Sequence, residues 1–215
     1  MPGWRLPDEG VLFVVSGPSG VGKSTLVQAA MATIPGLSFS VSATTRTPRE
    51  GERDGVHYHF LSRERFDTLV ARGAFLEHAT VYHQAYGTLM EPTREALSSG
   101  RSLLLDIDVQ GSRQVRAGWA AAVHVLIVPP ELEALESRLR ARDTDPEEVV
   151  RQRMAQVAEQ VGAIAEYDYV VINDDLDTAH RAFQAILLAE MSRVRRRASL
   201  VSDIERALED RGETG

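Results

Sequence analysis

Short apolar runs alternate with amphipathic stretches along most of this chain, at the spacing typical of a parallel α/β protein. Buried strands are predicted at residues 11–15, 102–108, 122–128 and 167–173. Each of these strands is followed in the sequence by a predicted helix, at residues 25–31, 109–116, 131–142 and 177–194. Because strands and helices alternate, we expect an α/β core with a parallel sheet and helices on both of its faces.

The alternation stops at residues 41–92, where a loop rich in proline, glycine and charge precedes short strand-like segments. This stretch is predicted to be a small β-rich insertion. Strands are predicted here and just before it at residues 36–42, 56–61, 75–82 and 86–88, and helices at residues 62–73 and 92–99. A charged elbow at residues 142–145 predicts a short helical lid. The predicted domains are a core of residues 1–40, 93–137 and 155–215, the insertion at 41–92 and the lid at 138–154.

Composition narrows the class of protein. A hydrophobic fraction of 43% in 215 residues is enough for a sizeable core, and the absence of cysteine excludes disulfides and thiolate nucleophiles. The formal net charge of −7 argues against a general nucleic-acid binder. We see neither the layout of a signal peptide nor an apolar run of membrane-spanning length, so we expect a cytoplasmic protein without a membrane partner.

Residues 17–24, Gly-Pro-Ser-Gly-Val-Gly-Lys-Ser, follow the first apolar run and match the phosphate-binding loop of nucleoside triphosphatases and kinases. In such a loop backbone N–H groups surround a phosphate, Lys23 reaches the β and γ oxygens, and the Ser24 hydroxyl binds Mg²⁺. The alternative is a glycine-rich turn in an ordinary βα unit. The residues predicted to bind the triphosphate are Gly17, Pro18, Ser19, Gly20, Val21, Gly22, Lys23, Ser24 and Thr25.

The other three predicted core strands end at Asp106 with Asp108, at Pro129 and at Asn173. Ligands of open α/β sheets bind beyond the carboxyl ends of the strands, so these ends should share one crevice with the loop. Asp106 and Asp108 are two apart on a strand and should point the same way, as partners of Mg²⁺ directly or through water. The alternative for one of them is a cap on the following helix.

Arginines form two further groups. Arg138, Arg142 and Arg153 lie on both sides of the elbow and are predicted to neutralise charge on the transferring phosphoryl group, unless they form ordinary surface pairs with nearby glutamates. Arg46 and Arg49 flank a proline in the insertion and are predicted, against the alternative of ordinary loop charge, to bind the phosphate of an acceptor. The hydroxyl groups of Tyr58, Tyr86 and Thr88 are predicted to assist them.

Glu77 is a carboxylate within an otherwise apolar Phe-Leu-Glu run. A carboxylate accepts hydrogen bonds from the N1–H and 2-amino groups of guanine, a donor pattern that adenine lacks. The chain also resembles the guanylate kinases, a family of nucleoside monophosphate kinases. The resemblance rests on residues 17–26, 39–49, 54–60, 75–79, 86–88, 106–111 and 171–177, in that order along the chain.

The resemblance implies a reaction of ATP with GMP that gives ADP and GDP, with dGMP as an untested second acceptor. By matching positions it implies that Ser42, Glu77 and Asp108 face the guanine. The resemblance implies the roles given above for Arg138, Arg142 and Arg153 and for Arg46, Arg49, Tyr58 and Tyr86. It also implies that Thr88 lies near the base, that Asn173 lies beside the adenine and that the reaction requires Mg²⁺. The sequence departs from the family pattern at residues 83–85, His-Gln-Ala, and at Asp143.

Because the acceptor is a phosphate with a second pKa near 6, no protein general base is expected. Catalysis is expected to rest on positioning and charge neutralisation. Two other functions remain open from the residues alone: a binding module with this fold that transfers nothing, and a kinase of the same fold with another acceptor. The expected oligomeric state is a monomer or a weak homo-oligomer.

Overall fold

The computed structural model describes residues 4–81, 83–131, 158–160 and 162–212. Its main sheet has five strands that all pair in parallel, in the order β2-β7-β1-β8-β9. These strands are β1 (Leu12–Ser16), β2 (Leu37–Phe39), β7 (Ser102–Asp106), β8 (Val123–Val128) and β9 (Tyr169–Ile172). The four predicted core strands are therefore present, and β2 joins them at one edge.

Apolar residues alternate between the two faces of this sheet, and helices cover both faces. On one face Phe13 and Val15 pack with α1 (Lys23–Thr33) and α5 (Leu176–Met191). On the other face Leu12 and Val14 pack with α3 (Met90–Ser98) and α4 (Val109–Gly118). Full burial of β1 explains its continuous apolar run, because a central parallel strand has no polar face.

A second sheet of four strands, in the order β4-β3-β6-β5, is built from residues of the predicted insertion. Its strands are β3 (Ala43–Thr44), β4 (His59–Phe60), β5 (Phe75–Val81) and β6 (Gln84–Leu89), and the helix α2 (Arg63–Ala71) follows β4. The long strand predicted at residues 56–61 is wrong in extent. Residues 56 and 57 turn instead, because both backbone N–H groups donate to the carbonyl of Arg53.

The turn between β5 and β6 contains one of the departures from the family pattern. His83 takes a φ of 68°, a left-handed conformation that is uncommon for a residue other than glycine. Ala85 is fixed by Thr45, whose backbone N–H donates to its carbonyl at 3.0 Å and whose hydroxyl accepts from its N–H at 2.9 Å. The strand pairing is therefore retained beyond the unusual turn.

The ends of two helices differ from the sequence expectation. The helix predicted at residues 177–194 is α5, which spans Leu176–Met191 and is capped by Asp175, whose side chain accepts a hydrogen bond from the N–H of Thr178 at 2.9 Å. Helix α3 begins two residues before Pro92. A further helix, α6, spans Ala198–Gly212. The helix predicted at residues 131–142 and the lid lie outside the described residues, apart from residue 131.

None of the helices described here is long and apolar enough to span a membrane.

Candidate active site

The phosphate-binding loop joins β1 to α1 at the carboxyl edge of the main sheet. Its backbone takes positive φ values at Gly17, Gly20 and Gly22, of 153°, 82° and 95°. Residues with a Cβ rarely adopt these backbone angles, which explains why the motif has glycine at these positions. The Lys23 ammonium donates to the carbonyl oxygens of Gly17 and Pro18, so that the loop closes around its own lysine.

A cavity of about 330 Å³ opens above this loop, and we call it the donor cavity. Its lining residues are Pro18, Ser19, Gly20, Gly22, Lys23, Ser24, Thr25 and Asp106. The side chain of Val21 is fully buried in the core, and Val21 does not line the cavity. The lining has the size and chemistry to hold a chain of phosphates.

Lys23 and Asp106 face each other across the donor cavity, with 3.9 Å between Nζ and Oδ1. Burial lowers the pKa of the Lys23 ammonium, while the nearby Asp106 carboxylate opposes that shift. Burial likewise raises the pKa of Asp106, against the attraction of Lys23. The Lys23 ammonium, which has 16% of its side chain exposed, would gain from a polyanion, and the Asp106 carboxylate, at 35%, would gain from a cation.

Asp106 and Asp108 have different surroundings, because Asp106 lines the donor cavity whereas Asp108 caps the following helix. Strand β7 ends at Asp106, so the rule that residues two apart share a face no longer applies at Asp108. Asp108 is the N-cap of α4, and its Oδ1 accepts from the N–H of Gly111 at 2.8 Å. The cap was the alternative for one of the two carboxylates, and it applies to Asp108.

Asn173 follows β9 and is buried against the loop. Its Nδ2 donates to the carbonyl oxygen of Val21 at 2.6 Å, and a Cβ added at Gly22 would overlap the same amide group. After this bond the amide nitrogen has a second N–H to donate, and Oδ1 can accept from a ligand. Asn173 therefore ties the loop to the sheet in addition to its predicted place beside the adenine.

A second cavity, of about 350 Å³, lies between the main sheet and the smaller sheet, and we call it the acceptor cavity. Its lining residues are Phe39, Ser40, Ser42, Val56, His57, Tyr58, Thr88, Leu104, Leu105, Asp106 and Ile107. Ser42, Tyr58 and Thr88 are among the predicted acceptor-binding residues. Asp106 lines both cavities, so the donor and acceptor cavities meet at its carboxylate.

Glu77 is a buried carboxylate beside the acceptor cavity, with 7% of its surface exposed. The Thr88 hydroxyl lines the cavity and donates to Glu77 Oε1 at 2.7 Å. Burial raises the pKa of Glu77, and the negative charge of Asp108 raises it further, while the bond from Thr88 opposes the shift. The Glu77 carboxylate is thus a buried acceptor next to a residue that lines the acceptor cavity, where it could accept N–H groups from a base.

Arg46 is held in place by an acid that the sequence interpretation did not include. Its NH2 group donates to both oxygens of Glu52, at 2.8 and 3.0 Å, and its guanidinium lies 5.4 Å from the ring centre of Tyr58. The backbone N–H of Arg49 donates to Glu52 at 2.7 Å. These bonds hold the pKa of the Glu52 carboxyl at about 2.

Tyr86 completes this group, because its ring packs edge-on against that of Tyr58, with 6.2 Å between the centroids. The structure therefore brings Arg46, Tyr58 and Tyr86 together, with the Arg49 backbone joined to them through Glu52. In the sequence, Glu52 is an acid a few residues after Arg46 and Arg49, but a loop has no periodicity that would predict which of its charges pair. Arg138, Arg142 and Arg153 lie outside the described residues.

Comparison with known proteins gives the same family that the residues resemble. The family model "Guanylate kinase" matches residues 9–190. A guanylate kinase of Carboxydothermus hydrogenoformans is 46% identical over 188 residues, which cover 87% of this chain and 92% of the relative. One of Parasynechococcus marenigrum is 50% identical over 170 residues, which cover 79% of this chain and 93% of the relative.

A solved structure extends the likeness to three dimensions. The crystal structure of guanylate kinase from Anaplasma phagocytophilum superimposes with a TM-score of 0.67 at 31% identity, covering 94% of this chain and 96% of that one. The predicted fold class and the predicted family are both confirmed. With a family model over residues 9–190 and relatives near half-identical across most of their length, the chain belongs to the guanylate kinase family.

Proposed function

We propose how the residues of the two cavities carry out the reaction of this family. The chain is an ATP:GMP phosphotransferase, which forms ADP and GDP. The observation that carries the mechanism is that Asp106 lines both the donor and the acceptor cavity. A triphosphate above the phosphate-binding loop and a monophosphate in the acceptor cavity would therefore approach each other at one carboxylate, and proximity of this kind is a large part of phosphoryl transfer.

On the donor side, the loop N–H groups and the first turn of α1 bind the β-phosphate, and Lys23 bonds to β and γ oxygens. For this, Lys23 exchanges its bonds to the loop carbonyls for bonds to the ligand. The lowered pKa of Lys23 reflects poor solvation, so the ammonium gains strongly from a polyanion.

Ser24 and Asp106 fit a magnesium ion, because both offer hard oxygen atoms to the donor cavity. Magnesium keeps several waters and phosphate oxygens among its ligands, so two protein groups, one of them acting through water, are sufficient. When bound, the ion neutralises charge on the phosphates. The raised pKa of Asp106 fits a carboxylate whose charge a cation would stabilise.

On the acceptor side, the Glu77 carboxylate accepts hydrogen bonds from guanine, with Ser42 and Thr88 near the base and Asp108 next to Glu77. Arg46, Arg49, Tyr58 and Tyr86 bind the GMP phosphate. The support for this division is the grouping observed here: a buried carboxylate bonded to Thr88, which lines the cavity, and a guanidinium fixed by Glu52 beside Tyr58, which also lines it.

No side chain is needed as a general base, because the attacking phosphate oxygen is already ionised at neutral pH. Arg138, Arg142 and Arg153 are proposed to stabilise the transferring phosphoryl group. The domain boundaries at residues 41–92 and 138–154 remain predictions. A cytoplasmic location also remains a prediction, supported by the absence of cysteine.

The experiment that tests the guanine assignment is a coupled assay with ATP, Mg²⁺ and, in turn, GMP, AMP, CMP and UMP. Glu77→Gln replaces one acceptor oxygen with a donor that faces the guanine donors. We expect the KM for GMP to rise by about 10- to 100-fold while the KM for ATP stays the same, since an unmatched buried polar pair costs about 1–3 kcal/mol.

Glu91→Gln, the same change on the exposed surface of α3, is the matched control and should leave both KM values as they are. An unchanged KM for GMP in Glu77→Gln, or equal use of AMP by the unmodified enzyme, would contradict the assignment.

A further inference from the structure

The acceptor cavity lies between two sheets, so its shape depends on how the smaller sheet is attached to the core. Strand β5, which carries Glu77, is the edge strand of the smaller sheet. It pairs with β6 on one side, and it also contacts helix α4 of the core. The contact between β5 and α4 therefore affects where Glu77 lies relative to the core.

A side chain of α4 pairs with the free edge of β5. The His78 backbone N–H donates to Gln114 Oε1 at 3.1 Å, and Gln114 Nε2 donates to the His78 carbonyl oxygen at 3.2 Å. Every second residue of an edge strand directs both backbone groups away from the sheet, and His78 is such a residue. A primary amide has the same donor and acceptor as a peptide group, so Gln114 bonds to β5 as a residue of a further strand would.

The two bonds fix the half-buried Gln114 side chain and the strand together. Only one orientation of the amide forms both bonds, because the flipped amide would set donor against donor and acceptor against acceptor. Within the part of the chain that the structure describes, they are the only hydrogen bonds between α4 and the smaller sheet. Gln114 is therefore the polar link between this sheet and the helix behind it.

Glu77 precedes His78 on β5, and its carboxylate lies close to the same helix. A Cβ added at Gly111, three residues before Gln114, would come within 3.4 Å of Glu77 Oε2. The other oxygen, Oε1, accepts from the Thr88 hydroxyl of β6. Thr88 thus holds the carboxylate within the smaller sheet, whereas Gln114 holds the strand that carries it against the core.

We propose that Gln114 is a positioning residue for guanine recognition, whose amide holds β5 against α4 so that Glu77 meets the N1–H and 2-amino groups of the base. This inference rests on the proposed role of Glu77. Without the two amide bonds, β5 is free to shift relative to α4, and hydrogen bonds weaken steeply as their geometry departs from the ideal. The alternative is that Gln114 only covers an exposed strand edge and stabilises the fold.

The test compares GMP with inosine monophosphate (IMP), which lacks the 2-amino group of guanine. Gln114→Met keeps the length of the side chain and removes both bonds. We expect kcat/KM for GMP to fall about tenfold, mainly through KM, and kcat/KM for IMP to fall less than about threefold. The KM for ATP should stay the same. An unchanged preference for GMP over IMP would overturn the proposal, because a purely stabilising role affects both substrates equally.

Gln184→Met is the matched control, because Gln184 is also half-buried and its side chain donates from α5 to Thr33 of α1. It removes a hydrogen bond between two core elements and should leave the preference for GMP over IMP unchanged. An equal loss of preference in the two variants would refute a specific role for Gln114. If Gln114→Met does not fold, Gln114→Glu replaces it in the test. Gln114→Glu keeps the acceptor for the His78 N–H, sets an oxygen against the His78 carbonyl and should also lower the preference.

A double variant separates this inference from the proposed function. In a Glu77→Gln background, Gln114→Met should not lower the preference for GMP further, because the group that it positions has been replaced. An equal fall in both backgrounds would show that Gln114 does not act through Glu77. An unchanged KM for GMP in Glu77→Gln alone would contradict the guanine assignment, and this inference with it. A raised KM in Glu77→Gln together with an unchanged preference in Gln114→Met would contradict only the role of Gln114.

Discussion

Replacing Thr88 with valine tests how much the hydrogen bond from Thr88 stabilises the buried Glu77 carboxylate in the folded enzyme. The Thr88 hydroxyl is buried and donates to Glu77 Oε1 at 2.7 Å. Valine is close to threonine in shape but cannot donate, so the substitution removes a hydrogen bond to a charged group and leaves no cavity. Such bonds contribute about 1.5–3 kcal/mol to the free energy of unfolding.

For a domain of this length, that loss corresponds to a fall in Tm of about 3–10 °C at neutral pH. The loss should depend on pH. Since burial raises the pKa of Glu77, the folded carboxyl binds its proton more tightly than the unfolded one. Its contribution to stability is full below the unfolded pKa, near 4.3, and is lost as the pH rises through the folded pKa.

The bond from Thr88 favours the charged form, so removing it raises the folded pKa of Glu77 further. The difference in stability between Thr88→Val and the parent should therefore be largest at neutral pH and smaller near pH 4. Thermal unfolding followed by circular dichroism across this range measures it. The double variant with Glu77→Gln should show a smaller additional loss than Thr88→Val alone.

Thr80→Val is the matched control, because Thr80 lies exposed on β5 of the same sheet. It should change Tm by less than about 2 °C at any pH. The reasoning fails if the two variants lose equal stability, or if the loss in Thr88→Val is the same at pH 4 and pH 7.

Three further predictions concern catalysis. Lys23→Ala should lower kcat by about 100-fold or more without changing the KM for GMP, since it removes a cation that acts on the transferring group; a kcat within tenfold of the parent would contradict this. Glu52→Gln should raise the KM for GMP about two- to fivefold, because Arg46 is no longer held in place. The assay can run at any pH above 4, since the pKa of Glu52 is about 2. An unchanged KM for GMP would show that Glu52 does not support the acceptor site. Asn173→Ala should raise the KM for ATP about fivefold, because the Val21 carbonyl loses its hydrogen bond. A change in the KM for GMP instead would show that Asn173 does not support the phosphate-binding loop.

The sequence predicted the core of the fold because the central strands are buried on both faces and leave continuous apolar runs. It also predicted the loop, because three positions with positive φ require glycine. The direction of a side chain beyond the end of a strand is harder to predict, because the periodic pattern of the strand ends there. Asp108 lies beyond the last residue of β7, so strand alternation no longer describes its direction.

Contacts between two residues of one loop are harder still to predict from the sequence. Arg46 and Glu52 lie six positions apart in a loop without regular structure, so no periodic pattern predicts their contact. The N-terminus of α5 shows the same limit, because Asp175 and Asp177 are both acceptable caps in the sequence and only the structure shows that Asp175 is used.

The hydrogen bond from Asn173 to Val21 joins residues 152 positions apart and has a consequence for the order of folding. The loop is complete early in the chain, but its brace arrives only after β9 has joined the edge of the sheet. Contacts between such distant residues form late because the closing of a long loop is costly in entropy. During synthesis on the ribosome, a partly folded chain would present the phosphate loop without its support. Full affinity for ATP would then mark the moment at which the last strand has docked.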